Sequence, residues 1–461
     1  SIRSLYPKLE IEGGAGVRPH KNSINNYCYP ENPEAGIDLF LEKLVQETEK
    51  EHEDILEQAD ETDAMFGELY SWYLRNPEYR SRVQKLVQSA FAGKPEDIIS
   101  QSVAKALYGE VSPYSATRLE RFAACAFAHF LQYGMKLTER VEYEFKPMDM
   151  GNVMHEALES FAEEVRKRGM KWTELTEQER NEIADRCLDN IVADYGNTVL
   201  KSSARNEYMI ERTRRILRRT VWALQKQLEQ GEFQPEGFEV TFGGGRIDRV
   251  DIMEDQNKVY VKVIDYKTGN TSFDLVYLYH GLQLQLMIYL DGALRVEQKK
   301  YPDKEIIPAG VFYYNIKDPM IQEKIDADVE AVSAGLMKEL KMNGLVQADP
   351  ELVYRMDSSL GSIPVAFNKD GSFRKNSSVA DRTQFAVLGR YVRTKIEKIR
   401  SSILEGDAEV SPYELGKKNA CTYCPYMTVC GFDRRLSGYE FRRLKNFSDE
   451  ELWKAFDREA E

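Results

Sequence analysis

The sequence has few cysteines, no long apolar run and no excess of positive charge. Six cysteines in 461 residues are too few for a secreted disulfide scaffold. No apolar run approaches the roughly 20 residues that span a bilayer, so we expect no membrane segment. The cysteine usage predicts a cytoplasmic chain. The net charge of -13 argues against a surface with general nucleic-acid affinity, although it leaves room for a local basic groove.

The sequence also lacks the G-x4-G-K-[ST] loop that cradles nucleotide phosphates. We therefore assign no ATPase site to this chain. Its 42% hydrophobic and 30% charged residues are typical of a soluble globular protein, and its length suffices for two or three domains.

The order of helical and strand patterns predicts two regions. The first region, 1–105, begins with a loop and extended connection to about residue 35, and apolar residues then recur at helical spacing from Ile37 to about Lys105. A second domain is expected over 106–461. In that domain, helices at 151–168 and 177–230 precede three strand-like segments, and a helix at 278–295 and another strand follow. This order predicts an α/β domain, in which helices flank a small mixed sheet and a helical appendage precedes it.

The densest group of polar residues lies in GRIDRVDI and VYVKVIDYKTG. Alternate residues of a strand share a face, so Asp265 and Lys267 follow three valines on one side. The EDQNK connection predicts a hairpin that brings Asp248 near Asp265. Close carboxylates repel unless a cation lies between them, and oxygen ligands favour Mg²⁺ or Mn²⁺. The alternative interpretation is an exposed hairpin with ordinary surface charges.

Such a metal ion lowers the pKa of bound water and polarises a phosphoryl oxygen. Lys267 is close enough in sequence to position the water or to neutralise developing charge. Two helical pairs, His155 with Glu159 and Gln285 with Tyr289, are each four residues apart. Each pair indicates either an ordinary helix face or polar groups that reach a phosphate or a metal-bound water.

The cysteines form a second constellation. Cys421, Cys424 and Cys430 make a C-x2-C-x5-C pattern, and Cys125 precedes them by almost three hundred residues. Four cysteine ligands admit either Zn²⁺ or a [4Fe-4S] cluster. We expect a structural role, because a clip across so long a loop constrains the chain strongly.

Basic residues concentrate on two predicted helices. The first cluster is the predicted DNA-binding surface, and it contains Arg212, Arg214, Arg215, Arg218 and Arg219. The second contains Arg390, Arg393, Lys395, Lys398 and Arg400. If they line a channel, they contact phosphates rather than bases, and solvated helix faces are the equal alternative.

Taken in order, these motifs resemble the RecB-like branch of the PD-(D/E)XK nucleases that carry an iron-sulfur staple. The matching features are Cys125, G-x-x-x-H-x-x-L-E at 151–159, GRIDRVD at 245–251, IDYKTG at 264–269, Q-L-x-x-Y at 285–289 and the C-terminal cysteines. The resemblance runs from about residue 106 to the end. It implies a PD-(D/E)XK nuclease core that uses Mg²⁺ or Mn²⁺.

The resemblance also implies a role for each matched residue. The implied metal ligands are His155, Asp248, Asp265 and the backbone carbonyl of Tyr266. The implied catalytic group comprises the two aspartates, Lys267 as the catalytic lysine, and Gln285 and Tyr289 as support. The implied [4Fe-4S] ligands are Cys125, Cys421, Cys424 and Cys430.

Within that branch, the resemblance implies the nuclease part of a helicase-nuclease subunit, and we expect roughly its C-terminal two-fifths. Its implied activity is exonucleolytic removal of the 5′-ended strand at double-strand breaks, for recombination. The implied partners are single-stranded DNA and a second helicase-nuclease subunit. A stand-alone iron-sulfur single-strand nuclease and an inactive DNA-binding or structural module are the alternatives; the retained carboxylates and Lys267 disfavour the inactive module.

Overall fold

The computed structural model describes residues 33–49, 61–90, 98–109, 115–138, 147–194, 204–243, 245–321, 328–436 and 438–460. The chain divides into two compact units. The smaller comprises Ser1–Asp97 with Met427–Phe441, and the larger comprises Ile98–Tyr426 with Arg442–Glu461. The predicted boundary near residue 106 stays a prediction. Among the described residues, no helix has the length and apolar character needed to cross a membrane.

The smaller unit is built from amphipathic helices, as the apolar spacing predicts. Phe40, Phe66 and Tyr73 lie in its core, and the Tyr73 hydroxyl donates to the Pro33 carbonyl at 2.6 Å. The helices are α1 (Pro33–Glu49), α2 (Glu61–Arg75) and α3 (Pro77–Ala90), with a one-turn helix at Met427–Cys430.

Helices also open the larger unit. They are α4 (Gln101–Tyr108), α5 (Ala116–Ala124), α6 (Ala126–His129), α7 (Pro147–Lys167), α8 (Glu177–Asp194) and α9 (Ala204–Glu229). The Ser115 side chain accepts the N–H of Arg118 and so caps α5, and α5 ends at Cys125. The region predicted as helical over 177–230 is thus two separate helices, α8 and α9.

Six strands form one mixed sheet in sequence order. They are β1 (Gln234–Phe242), β2 (Gly245–Asp255), β3 (Lys258–Lys267), β4 (Glu305–Asn315), β5 (Asn343–Gln347) and β6 (Val379–Ala380). The first three pair antiparallel, β3 and β4 are parallel, β5 is antiparallel to β4, and β6 is parallel to β5. The parallel step needs a crossover, which α10 (Leu275–Tyr279) and α11 (Gln285–Lys300) provide.

The remaining elements follow the sheet. They are α12 (Val329–Glu339), α13 (Pro350–Met356), α14 (Arg382–Glu405), α15 (Asp449–Ala460), and a small sheet of β7 (Tyr413–Leu415), β8 (Lys418–Asn419) and β9 (Arg442–Arg443). Helix α14 begins with a capping box of Asp381 and Gln384 and ends at Gly406, whose φ is +92°. A Cβ there would lie 2.0 Å from the Ile99 carbonyl oxygen, so the position requires glycine.

Helices cover both faces of the large sheet. Val259, Val261 and Val263 join one core with residues of α5, α10, α11 and α14. Ile264 and Tyr266, which point the other way, join a second core with residues of α7, α8 and α9. The predicted alternation along β3 is therefore confirmed, as is the predicted α/β class with a small mixed sheet.

Candidate active site

The β2–β3 hairpin brings two carboxylates together at one edge of the sheet. Arg249 pairs with Ile264 in the ladder, and one further step along both strands places Asp248 opposite Asp265. Asp248 Oδ2 accepts the backbone N–H of Tyr266 at 2.7 Å. The predicted hairpin is therefore confirmed, while the catalytic roles of the two aspartates stay predictions.

A histidine and a second acidic residue meet Asp248. His155 Nδ1 lies 3.4 Å from Asp248 Oδ2 and 3.6 Å from Glu239 Oε1. In the part of the chain that the structure describes, these three side chains are the one His/Cys/Asp/Glu group whose ligand atoms all lie within 4.8 Å. Helix α7 carries His155 past the end of β3, where a Cβ on Gly151 would contact Thr268.

Sequence reasoning missed Glu239, which lies on β1 beside the GRIDRVDI strand. Its φ is +49°, in the left-handed region that residues other than glycine rarely adopt, at a cost of roughly 1 to 3 kcal/mol. Its side chain is 7% exposed, and Arg246 Nε lies 2.5 Å from its second oxygen. Its one sequence signal is an acidic residue within the apolar strand FEVTF. Strained backbone that aims a buried carboxylate at a histidine is typical of a functional site.

Charges around His155 favour its protonated form when no metal is bound. Burial opposes protonation, but hydrogen bonds and the charges of Asp248 and Glu239 outweigh it and raise the pKa of His155 to about 10. A cation that took the place of this proton would meet the same two carboxylates.

Asp265 belongs to a second network, which contains the other predicted catalytic residues. Lys267 Nζ lies 2.5 Å from Asp265 Oδ2 and donates to Gln285 Oε1 at 2.9 Å. Gln285 Nε2 lies within hydrogen-bond reach of Asp265 Oδ1 at 2.8 Å and of the Tyr289 hydroxyl at 2.9 Å. The structure thus brings four predicted site residues into one connected group, with Gln285 at its centre.

The environment of Asp265 disfavours a negative charge in the absence of a cation. Burial and the neighbouring Asp248 raise the pKa of Asp265 to about 7, although Lys267 lowers it. Burial also raises the pKa of Tyr289, so its hydroxyl stays protonated at neutral pH. A buried carboxyl whose pKa is raised by a neighbouring carboxylate, as that of Asp265 is by Asp248, is typical of a cation site.

The donor set fits a hard divalent cation. His155, Glu239 and Asp248 offer one nitrogen and carboxylate oxygens, with Asp265 opposite Asp248 and no thiolate among them. Oxygen-rich sets with an imidazole suit Mg²⁺ or Mn²⁺ better than the soft metals that thiolates select. Tyr266, whose backbone carbonyl is a predicted ligand, packs its ring on the opposite face, 6.0 Å from the Tyr314 ring.

Two of the predicted cluster cysteines share an apolar pocket. Cys125 and Cys424 pack with Leu131 and Tyr426, and Arg121 Nη2 lies 3.8 Å from Cys424 Sγ. Burial raises the pKa of the Cys125 thiol, so a thiolate there needs a compensating positive charge. Cys421 is partly buried three residues before Cys424, whereas Cys430 belongs to the smaller unit, where its Sγ accepts the Phe432 N–H at 3.5 Å.

Four of the five predicted DNA-binding arginines are in ion pairs. Arg214 pairs with Asp189 at 2.7 Å, and Arg218 pairs with Asp185. Arg215 and Arg219 lie 2.6 Å and 3.9 Å, respectively, from Asp318. The fifth arginine, Arg212, is exposed. The four paired arginines line a cavity of about 700 Å³ together with Arg180 and Trp222. The second basic cluster is similarly engaged, since Arg393 pairs with Asp291 and Lys398 with Glu459.

Two of the arginines that line the cavity contact the segment that follows β4. Asn315, the last residue of β4, is in register with Lys267, and the Ile316 N–H donates to the Lys267 carbonyl at 2.7 Å. Asp318 follows within three residues and holds Arg215 and Arg219. These ion pairs therefore tie α9 to the segment that follows the end of β4 beside Lys267.

This fold and site define a class of protein. The family model described as the PD-(D/E)XK nuclease superfamily matches residues 113–431, and the chain belongs to that superfamily. The predicted PD-(D/E)XK membership is therefore confirmed. The match spans the helix that ends at Cys125, both strands of the hairpin and the C-terminal cysteines.

The names of the curated relatives are more specific than the superfamily. The chain is 41% identical to an ATP-dependent helicase/deoxyribonuclease subunit of Lachnoclostridium phytofermentans, over 87% of this chain and 36% of the relative. Proteins of the same name from Thermoanaerobacter sp. (strain X514) and Clostridium acetobutylicum are 34% and 33% identical, each over 99% of this chain and 42% of the relative. The chain thus spans about two-fifths of the length of the curated relatives it matches.

Proposed function

We propose that this chain is the nuclease part of an AddB-type helicase-nuclease subunit and that its site hydrolyses phosphodiester bonds of DNA. The observation that carries the proposal is the connected group of Asp265, Lys267 and Gln285 beside the ligand group of His155, Glu239 and Asp248. An inactive module has no physical need to bury two repelling carboxylates next to a lysine.

The proposed mechanism assigns each side chain a task. His155, Glu239, Asp248 and Asp265 would hold a Mg²⁺ or Mn²⁺ ion, which supplies an activated water and polarises a phosphoryl oxygen. Lys267 orients the attacking water and offsets charge that develops on the phosphate. Gln285 holds the Lys267 ammonium through its amide oxygen, and the Tyr289 hydroxyl fixes the other end of that amide.

We propose a DNA path across the arginine cavity toward this edge. Arg215 and Arg219 would exchange Asp318 for backbone phosphates, which gives salt-sensitive and sequence-indifferent binding. Trp222, which also lines the cavity, offers a surface on which an unpaired base can stack. The substrate is accordingly a single strand that emerges from an unwound duplex.

The finer biological proposals follow the name of the relatives, which joins a helicase with a deoxyribonuclease. We propose exonucleolytic resection of the 5′-ended strand at double-strand breaks, for recombination, in a heterodimer with the AddA helicase-nuclease subunit. The predicted cytoplasmic location accords with these roles. The alternative is that this chain acts as a stand-alone single-strand nuclease. If adding AddA had no effect on cleavage, that result would favour the alternative.

We also propose that Cys125, Cys421, Cys424 and Cys430 hold a [4Fe-4S] cluster that staples the nuclease domain. The shared apolar pocket of Cys125 and Cys424 supports the proposal. Protein purified without oxygen should be brown, and Cys424→Ser should lose this absorbance and unfold at a lower temperature. A colourless wild type that contains stoichiometric zinc would contradict the cluster.

The central test compares two lysines of one strand. Lys267→Ala should reduce Mg²⁺-dependent cleavage of end-labelled single-stranded DNA by at least about a thousandfold and leave DNA binding unchanged. Lys258→Ala, at the other end of β3, is the matched control and should cleave normally. Labels at the 5′ and 3′ ends report polarity in the same assay. Equal cleavage by both variants would overturn the assignment.

A further inference from the structure

Helix α11, which carries Gln285 and Tyr289, begins without a cap of its own. Leu284 is the residue at its N-cap position, and a leucine side chain cannot accept a hydrogen bond from the first turn. The free N–H groups of a helix start must find an acceptor elsewhere. The acceptor here comes from a distant part of the chain.

Glu120, on α5, supplies that acceptor. Its Oε1 accepts the backbone N–H of Leu284 at 2.7 Å and the N–H of Gln285 at 2.9 Å. The two residues are separated from Glu120 by more than 160 positions in the sequence, so the contact ties α5 to the start of α11. A carboxylate at a helix N-terminus also interacts favourably with the helix dipole.

The first turn of α11, which Glu120 holds, carries the Gln285 side chain that connects the proposed catalytic residues. Gln285 bonds Lys267, Asp265 and Tyr289 through one amide group, so a shift of its backbone would disturb all three contacts. Glu120 bonds the backbone of α11, and its electrostatic neighbours include Lys267 and Asp265. Glu120 therefore contacts the backbone at the start of α11, and any effect on the reaction passes through Gln285.

We propose that Glu120 is a positioning residue that fixes the first turn of α11 and thereby orients Gln285 against Lys267 and Asp265. The proposal rests on the nuclease function proposed above. The proposal predicts that the two residues are coupled. Replacing Glu120 should lower the cleavage rate only in a protein that retains Gln285.

The variants separate this role from simple capping. Glu120→Ala removes the acceptor, whereas Glu120→Gln keeps an oxygen that can accept both N–H groups. Asp349→Ala is the matched control, because Asp349 Oδ1 accepts the N–H groups of Glu351 and Leu352 at the start of α13 in the same manner. Gln285→Ala and the double variant Glu120→Ala/Gln285→Ala complete a double-mutant cycle.

We expect Glu120→Ala to lower kcat for single-stranded DNA roughly 10- to 100-fold with KM within about twofold, because a misplaced support group slows the chemical step. Glu120→Gln should restore most of this loss, and Asp349→Ala should leave kcat unchanged. The double variant should be no slower than Gln285→Ala alone. Hydrogen exchange at the Leu284 and Gln285 amides should be roughly tenfold faster in Glu120→Ala, with no such change in Asp349→Ala.

Independent, additive losses in the double variant would overturn the proposal, as would accelerated amide exchange without a fall in kcat. Unchanged exchange in folded Glu120→Ala would show that Glu120 does not hold α11. If wild-type protein cleaves no DNA, the nuclease proposal fails by itself, and the same amide exchange still decides whether Glu120 holds this turn. Each result thus separates the positioning role from the activity.

Discussion

Asp248 accepts the backbone N–H of Tyr266 at 2.7 Å, so one site carboxylate is fixed to the strand that carries the other. Asp265 directly precedes Tyr266, and Lys267 directly follows it. One hydrogen bond therefore sets the positions of a proposed ligand, its partner carboxylate and the proposed catalytic lysine relative to one another. The N–H group also favours the charged form of the Asp248 carboxylate that it contacts.

Glu239 should contribute to metal affinity. Glu239→Gln removes one negative charge next to His155 and Asp248, and Mn²⁺ affinity should fall about tenfold or more. Isothermal titration calorimetry without DNA measures the affinity directly. Glu236→Gln is the control, because Glu236 lies on the same strand and pairs with Lys300 instead. Equal affinities of the two variants would exclude Glu239 from the ligand set.

The salt dependence of DNA binding should identify the arginine path. Replacing both Arg215 and Arg219 by Ala should flatten the slope of log affinity against log salt by about 1 to 2 for a single strand, because each phosphate contact releases counterions. Arg382→Ala is the control, since Arg382 pairs with Glu305 at the opposite end of β4 from Asn315. An unchanged slope in the double variant would show that Arg215 and Arg219 do not contact DNA phosphates and belong to a solvated helix face.

A buried charge network behind the site should dominate the stability of the hairpin. Arg249 Nε lies 2.5 Å from Asp251 Oδ1 and Lys262 Nζ lies 2.9 Å from Oδ2, and all three side chains are at most 7% exposed. Asp251→Ala leaves two buried cations without their anion and should lower the free energy of unfolding by about 3 to 5 kcal/mol. Denaturant titration measures this loss, and Asp370→Ala, in an exposed turn, should show none. A small loss for Asp251→Ala would mean that water reaches these cations.

Glu120 should make stability depend on pH. Burial raises the pKa of Glu120 from 4.5 to about 7, although the N–H groups of Gln285 and Leu284 lower it. The pKa of Glu120 is higher in the folded protein than in the unfolded chain. The stability contributed by its protonated carboxyl group is therefore fully present below pH 4.5 and is lost as the pH rises through about 7. The charged and titratable groups that face Glu120 are Lys267, Asp265, Tyr289, Tyr313 and Tyr133.

Glu120→Gln removes this titration and leaves those neighbours in place. Between pH 4.5 and about 8, wild type should lose about 3 kcal/mol more stability than Glu120→Gln, at about 1.36 kcal/mol for each unit of pKa shift. Urea titrations with a chelator at each pH provide the measurement. Parallel pH profiles of the two proteins would show that Glu120 is ionised as freely in the folded state as in the unfolded chain.

The local parts of the site could be predicted from the sequence. Strand alternation and a short connection sufficed to place Asp248 beside Asp265, because the two residues belong to one hairpin. Helical spacing likewise paired Gln285 with Tyr289, which share a hydrogen bond. The start of their helix was predicted at residue 278, but Gly281, with a φ of +78°, separates α10 from α11.

The long-range parts could not be predicted from the sequence. Glu239 reaches the site through a left-handed backbone conformation that no propensity favours in a strand, and Glu120 reaches it across more than 160 positions. The ion pairs of Arg215 and Arg219 depend on Asp318, which lies after β4. Each contact requires the packed fold, because the residues that make it have no periodic relationship in the chain.

The connection between β2 and β3 is only two residues long, Gln256 and Asn257, and this has a consequence for the order of assembly during synthesis. A nascent chain that has emerged as far as β3 already contains both aspartates and can pair them at a small entropic cost. It lacks α11, so Gln285 does not yet hold the ammonium of Lys267. The proposed metal ligands are thus all synthesised before residues 285–289, and the proposed nuclease activity requires that later segment as well.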